Sequence, residues 1–193
     1  QPFEGGGITA MSLKKRQSTK GQRMFEFEGA RPFEGPASRL LPPTELYESC
    51  DEALLRKFIG EDSRLEKKTG NTAPKALGEY FSMWANTSPQ GGILVIGIEN
   101  NKSFTGCNHL STKQLNDIEQ TGVTYCPEAM HKMKKVAIHR DQNDEDDFVI
   151  VFYIEYHKSR VIKTCDGRSF TRKGDSKHEL KGEELRHLQA EKG

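Results

Sequence analysis

Residues 84–106 read WANTSPQGGILVIGIENNKSFTG, and the chain is organised around them. Trp84 and Ala85 close an apolar helical face. The segment Asn86-Thr87-Ser88-Pro89 then ends the helix, because Pro89 lacks an amide donor and disfavours the helical region for Ser88. Gly91 and Gly92 provide a turn that tolerates positive φ or a close backbone approach. Ile93 to Ile96 is an unbroken aliphatic run, which fits a strand covered on both faces. Gly97 and Ile98 lead to Glu99, Asn100 and Asn101, polar groups at the carboxyl end of that strand, where α/β proteins often place their sites.

Working back toward the N-terminus, residues 73–86 predict a helix with Pro74 near its first position and Ala76, Leu77, Tyr80, Phe81 and Trp84 at helical spacing. Ser49 and Glu52 fit a capping box for a helix that carries Leu54, Leu55 and Phe58 and ends at Gly60. Residues 1–43 contain glycines, prolines and isolated aromatics without a sustained period. They are expected to be a flexible arm, with Lys14, Lys15, Arg16, Lys20 and Arg23 making it basic, and residues 44–193 are expected to form the domain. Gln1 to Ala10 precede Met11 and are expected to be an appended segment.

Working forward, Ser111 and Gln114 predict a second capping box, on a helix with Leu115 and Ile118 inward. Residues 136–138 and 148–156 predict a hairpin whose link, with Asp141, Asp144, Glu145, Asp146 and Asp147, reads as a solvated tip lacking the calcium-loop order. Asp166-Gly167 predicts a second hairpin, between residues 161–163 and 168–172. Ser176 and Glu179 predict a capping box opening a final helix with Leu180, Leu185 and Leu188 inward. The mixture of elements implies an α/β (α+β) single domain with a mixed, mostly antiparallel sheet flanked by helices.

Composition limits the functions. The 193 residues carry 29 Lys and Arg against 28 Asp and Glu, so bulk charge names no partner. Cys50, Cys107, Cys126 and Cys165 include no Cys-x-x-Cys pair. They read as thiols in a reducing cytoplasm; the Cys107/His109 and Cys126/His131 near-pairs are the zinc alternative. No apolar run approaches the ~20 residues of a membrane span, and the expected location is the cytoplasm, with association to the nucleoid an option. Walker A, His-Glu-x-x-His, Gly-x-Ser-x-Gly and Rossmann patterns are absent, which disfavours those enzyme classes.

Two constellations could carry chemistry. Lys158, Arg160, Lys163, Arg168, Arg172, Lys173, Lys177 and Lys181 face Asp166, Asp175 and Glu179 in the local sequence, a surplus of five positive charges. Such a surplus suits phosphate neutralisation, and it also suits a solvated basic face. Glu61 and Glu66 are the carboxylate candidates for Mg²⁺ or Mn²⁺. A five-residue separation puts them about 140° apart on a helix and on opposite faces of a strand. They converge only across a bend, which Gly60 and Asp62-Ser63 make possible. Otherwise they are surface acids paired with Arg64, Lys67 or Lys68.

Four segments, in order, resemble the Schlafen AlbA-2 domain: Gly60-Glu61-Asp62-Ser63-Arg64-Leu65-Glu66-Lys67-Lys68; Ala85-Asn86-Thr87 with Gly91-Gly92; Gly97-Ile98-Glu99-Asn100; and Phe170-Thr171-Arg172-Lys173-Gly174-Asp175-Ser176. The resemblance covers about residues 49–190. It implies a nucleic-acid-binding module, with DNA preferred over RNA, at the front of a longer transcriptional regulator or helicase-like protein. Lys68, Arg160, Lys163, Arg168, Arg172, Lys173 and Lys177 would be its phosphate contacts. The same resemblance implies an alternative, a metal-dependent endoribonuclease with a three-carboxylate site. Two of those acids would fall on Glu61 and Glu66, and the third position falls on Asn100, with Glu99 beside it as the substitute. Lys67 also departs from the family's usual aromatic or aliphatic residue, which bears on strand packing. A protein-interaction module, such as a homodimer, is the third reading. The charged ending Gln189 to Gly193 fits an N-terminal module of a longer protein.

Overall fold

The computed structural model describes residues 41–60 and 62–193, together with two short strands before them. Those strands, β1 (Lys14–Gln17) and β2 (Arg23–Glu26), pair antiparallel with Lys14 opposite Glu26. Within the segment expected to be an arm there is thus a described ladder. Lys20 lies outside the described residues. Contacts divide the chain into residues 1–40 and residues 41–193.

The second unit opens with α1 (Pro43–Glu48) and α2 (Glu52–Phe58). Pro43 stands at the first helical position, where a missing N–H costs nothing. The predicted cap on the next helix is displaced by two residues. Ser49 ends α1, its hydroxyl donating to Glu45 O at 2.6 Å, and Asp51 caps α2 by accepting from Leu54 N at 2.8 Å. Glu52 does not reach back, because it accepts from His139 and Arg56 instead.

Next come β3 (Leu65–Lys68), α3 (Pro74–Asn86), β4 (Gly92–Ile96), α4 (Thr112–Glu119) and α5 (Thr121–Tyr125). The Ser111–Gln114 capping box has both of its reciprocal hydrogen bonds. Then β5 (His131–His139) and β6 (Asp146–Ile154) form the long hairpin. The last elements are β7 (Phe170–Lys173), β8 (Ser176–Glu179) and α6 (Gly182–Lys192).

The main sheet has the order β3-β4-β6-β5, with β3 parallel to β4 and the other pairs antiparallel. This is the α+β fold with a mixed sheet that the sequence implies. Strand β4 lies inside it, and the continuous apolar run is explained by two cores. Leu94 and Ile96 join Ile150, Phe152 and Ile154 under Leu77, Phe81 and Trp84 of α3. Ile93 and Val95 join Val149, Val151 and Tyr153 under Leu46 and Leu55 of the first two helices. Each such side chain contributes roughly 1.5–3 kcal/mol by leaving water. The glycine pair does both jobs foreseen for it. Gly91 has φ +74°, and a Cβ on Gly92 would stand 2.4 Å from the Trp84 ring.

Three expectations need correction. Residues 161–169 form no ladder. Asp166-Gly167 does turn the chain, with Gly167 N donating to Thr164 O and Thr164 N to Arg168 O, both at 2.8 Å. Ile162, however, gives its backbone N–H and C=O to Asn86, so nothing is left for a strand partner. The second hairpin lies instead at β7–β8, around Gly174 with φ +60°, where Phe170 faces Glu179. Ser176 and Glu179 are therefore strand residues, not a cap, and α6 begins after them. The acidic hairpin tip is solvated except at Asp147, which is buried and accepts from the backbone N–H groups of Cys107, Asn108 and Phe148 and from Arg140.

Candidate nucleic-acid interface

Strand β3 sets Glu66 and Lys68 two residues apart, hence on one face. Lys68 Nζ donates to Glu66 Oε1 at 2.7 Å, and Arg172 Nη1 donates to Oε2 at 3.1 Å. Both oxygens of Glu66 are thus taken by cations of the chain itself. The Arg172 side chain is 9% exposed, lies over the Trp84 ring at 5.1 Å and also reaches Asp175 Oδ1 at 3.4 Å.

The placement of Arg172 traces to the end of α3. Thr87 Oγ1 donates to Met83 O at 2.7 Å and accepts the Arg172 N–H at 3.0 Å. Beside it Asn86 is buried and saturated. Its amide donates to Ile162 O at 2.8 Å and Phe170 O at 3.1 Å, and its oxygen accepts from Ile162 N at 2.9 Å and Lys192 Nζ at 3.2 Å. Ser82 adds a bond to Ile162 O and accepts Phe170 N. The Ala85-Asn86-Thr87 segment therefore acts as a tie that anchors β7 against α3.

The basic residues of β7–β8 and of the turn before them continue the network. Lys177 and Arg168 share Glu79 of α3, the latter at 2.7 Å, and Arg168 also pairs with Asp166 at 3.0 Å. Burial opposes the charge on Glu79, but Lys177 and then Arg168 outweigh it and hold the carboxyl below its ordinary range. Lys68 and Lys177 both lie over the Tyr80 ring, at 4.7 and 4.5 Å. For Lys68, burial pulls the ammonium down, and Glu66 with Tyr80 more than restores it. Lys173 pairs with Glu184 of α6 at 2.8 Å while staying 65% exposed.

Five of the seven basic candidates thus gather, Lys68 on β3, Arg172, Lys173 and Lys177 on β7–β8, and Arg168 on the turn just before β7. Arg160 and Lys163 lie apart from them. Arg160 pairs with Glu128 at 3.7 Å, and Lys163 is an exposed residue whose carbonyl accepts from Cys126 Sγ. The local charge surplus is largely answered by carboxylates from other elements, namely Glu66, Glu79, Glu128 and Glu184. Glu79, Tyr80, Asn86 and Thr87 are the residues that sequence reading missed as organisers. Their signal was their position on α3 and its C-terminal cap, and their partners on residues 162–177 are 76 to 98 positions away.

The carboxylate candidates do not form one set among the described residues. Glu66 lines a polar cleft of about 330 Å³ with Asp62, Arg172 and Asp175. Glu99 lines a different one, of about 240 Å³, with Asn71, His109 and Arg140. Glu61 lies outside the described residues. Asn100 brings a neutral amide, and no three His, Cys, Asp or Glu side chains among the described residues are grouped to hold a metal ion. Glu66, held by two cations, does not fit as an open Mg²⁺ or Mn²⁺ ligand. The cysteines are free thiols. Cys107 and Cys126 are buried and pushed up to about 12 by that burial, and Cys165 is exposed.

The family model described as Schlafen, AlbA_2 matches residues 61–181, more than half of the chain, and the protein belongs to that family. No curated protein matches. Among solved structures, the chain is similar to the DIP2311 protein of Corynebacterium diphtheriae, at 19% identity and a TM-score of 0.48. That match covers 69% of this chain and 29% of the other, so the chain spans under a third of that protein's length. Among the described residues no helix is long and apolar enough to cross a membrane.

Proposed function

We infer that this is a nucleic-acid-binding domain, with duplex DNA preferred, serving as a module of a larger regulator or helicase-like protein. Family membership supports the nucleic-acid part. The observation that carries the reading is the shared-partner network in which Lys68, Arg168, Arg172 and Lys177 crowd around Glu66, Glu79 and Tyr80, with Lys173 at its exposed rim. Pairs at such a rim are worth little in water, at ~0–1 kcal/mol, so a phosphate oxygen can exchange with Asp175 or Glu184 at small cost. Asp175 is 94% exposed, which makes it the easiest partner to displace. Lys68 and Arg172 Nη1 then stay on Glu66, Arg172 Nη2 takes the phosphate oxygen that displaces Asp175, and Lys173, Lys177 and Arg168 meet further backbone phosphates. Arg160 and Lys163 would add contacts only to a ligand long enough to leave the network.

The test is a titration of labelled duplex DNA and of a structured RNA hairpin at several salt concentrations, with Mn²⁺ or with EDTA. Mobility shifts and cut products are read in the same samples. A shift without products, with log K falling by about 0.9 per phosphate contact against log salt on duplex DNA, is the expected result. Metal-dependent products that vanish in Glu66→Gln would replace the reading with a nuclease. Salt-independent binding, or none, would leave a protein-interaction module.

A further inference from the structure

The opposite edge of the sheet from Glu66 is strand β5. Along an antiparallel edge, alternate residues turn their N–H and C=O away from the neighbouring strand. Two bonds fix the phase here. Met130 O accepts from Glu155 N at 2.9 Å, so residue 130 faces inward. At the far end His139 turns outward: its N–H donates to Glu52 Oε1 at 3.1 Å, and its C=O accepts from Arg56 Nη2 at 2.8 Å. Residues 131, 133, 135 and 137 therefore present their backbone groups outward. Among the described residues no strand continues the sheet beyond β5.

The side chains around this edge are also distinctive. The exposed large hydrophobics among the described residues are Val123 at 62%, Met130 at 56% and Met133 at 37%. Met130 immediately precedes β5 and Met133 is its third residue. Val123 follows Gly122, which packs against the His131 ring so closely that a Cβ there would lie 2.4 Å from Cε1. Interleaved with them are Lys132, Lys134 and Lys135. Lys132 pairs with Glu48 at 3.0 Å, with both side chains about two-thirds exposed, and Lys135 pairs with Glu119 at 2.9 Å. Lys134 has no carboxylate partner among the described residues. It lies over the Tyr47 ring at 4.9 Å and donates to Glu48 O.

Lysines on an edge deter unselective strand pairing. Their sign also selects what can pair. A second copy docking antiparallel through this stretch would set lysines against lysines, which is destabilising directly across a ladder. An incoming strand with carboxylates meets the reverse situation, and its backbone finds the outward groups of residues 131–137. We propose that this edge is a docking site for an extended acidic peptide segment, added as a fifth strand, with an apolar side chain seated against Met133 and Val123. It is independent of the network around Glu66, at the far side of the sheet.

The test uses the whole chain and a fluorescein-labelled peptide of about eight alternating glutamate and valine residues, matched to a strand of ordinary length. A lysine-valine peptide is the control, and anisotropy is the readout. Saturable binding of the acidic peptide alone is expected, weakened about ten-fold or more by combined Lys132→Glu, Lys134→Glu and Lys135→Glu. Hydrogen exchange at the amides of Met133 and Lys135 should slow when peptide is added. Met133→Pro removes an outward donor without removing a rung to β6, and should weaken binding while leaving the thermal midpoint near that of the parent. Absence of saturable binding at millimolar peptide, or binding unchanged in the triple variant with no amide protection, overturns the proposal. A concentration-dependent dimer that protects the same amides overturns it in favour of self-pairing.

Discussion

Asn86 and Glu66 are two polar centres on neighbouring elements, and they hold β7 by opposite means. Asn86 is neutral and buried, and its donors and acceptor are satisfied by backbone groups of Ile162 and Phe170 and by Lys192. Glu66 is charged, 16% exposed at its side chain, and satisfied by two side-chain cations. The buried amide has no substitute partner if it is lost, because water cannot reach the groups it serves. The cations around the partly buried carboxylate can take water or a phosphate as a further partner, as Arg172 can where it now meets Asp175. One centre is suited to fixing a fold, the other to changing what it binds.

Substitutions at the two centres should differ accordingly. Asn86→Ala leaves the Ile162 N–H and the Phe170 carbonyl without their partner and takes one acceptor from Lys192 and one donor from Ile162 O, and is expected to cost ~3 kcal/mol. A urea midpoint checks this; a loss no greater than at Glu66 would erase the distinction. Arg172→Met keeps an apolar chain but removes the guanidinium over the Trp84 ring and one partner of Glu66, for an expected loss of ~1–2 kcal/mol and a clear fall in DNA affinity. Acid is expected to weaken the carboxylates that cations and backbone amides hold: Arg64 at Asp62, Lys177 and Arg168 at Glu79, and the Phe148 and Asn108 amides at Asp147. Glu79, Asp62 and Asp147 are all held below their ordinary values, so they contribute stability that is complete above about pH 4.5 and fades as pH falls through the depressed values. Denaturant midpoints at neutral pH and in stepwise acid should show this decline, and in Glu79→Gln it should be shallower. The smallest effect on folding is expected for Lys173→Ala, within about 0.5 kcal/mol. The same variant should lower the salt slope of DNA binding by about 0.9, one phosphate contact.

What could be read from the chain follows the range of the interactions involved. Strand β4, helix α3 and the Ser111–Gln114 box are set by residues within a few positions of one another, and their patterns carry them. The 161–172 region misleads because Asp166-Gly167 is a sound turn signal, yet Asn86, some eighty positions away, takes the backbone groups that a ladder would need. The basic surplus misleads in the same way. Counting from residue 158 to 181 includes the cations of β7–β8 and omits Glu66 and Glu79, which the fold brings to them. At Ser49 two cap signals compete within three residues, and Asp51 prevails because α1 already uses Ser49 as its end. The Asn100 position is legible as a lost charge, and the structure adds that Glu99 belongs to another cleft.

Lys192 sets a lower limit on how short a working piece of this chain can be. Its ammonium, buried and pulled down to about 8 by that burial, donates to Ala85 O, Asn86 Oδ1, His157 O and Arg160 O. It therefore closes the end of α3 from a position eleven residues past the family match. At the other side of the match, Leu46, Tyr47 and Leu55 cover the second face of the sheet. A fragment cut to residues 61–181 would keep the family motifs but for Gly60, and lose one wall of its core together with the stopper on α3. The motif-bearing stretch and the smallest stretch that folds are different lengths of the same chain, and truncations meant to isolate the binding activity should begin near Leu41 and keep Lys192.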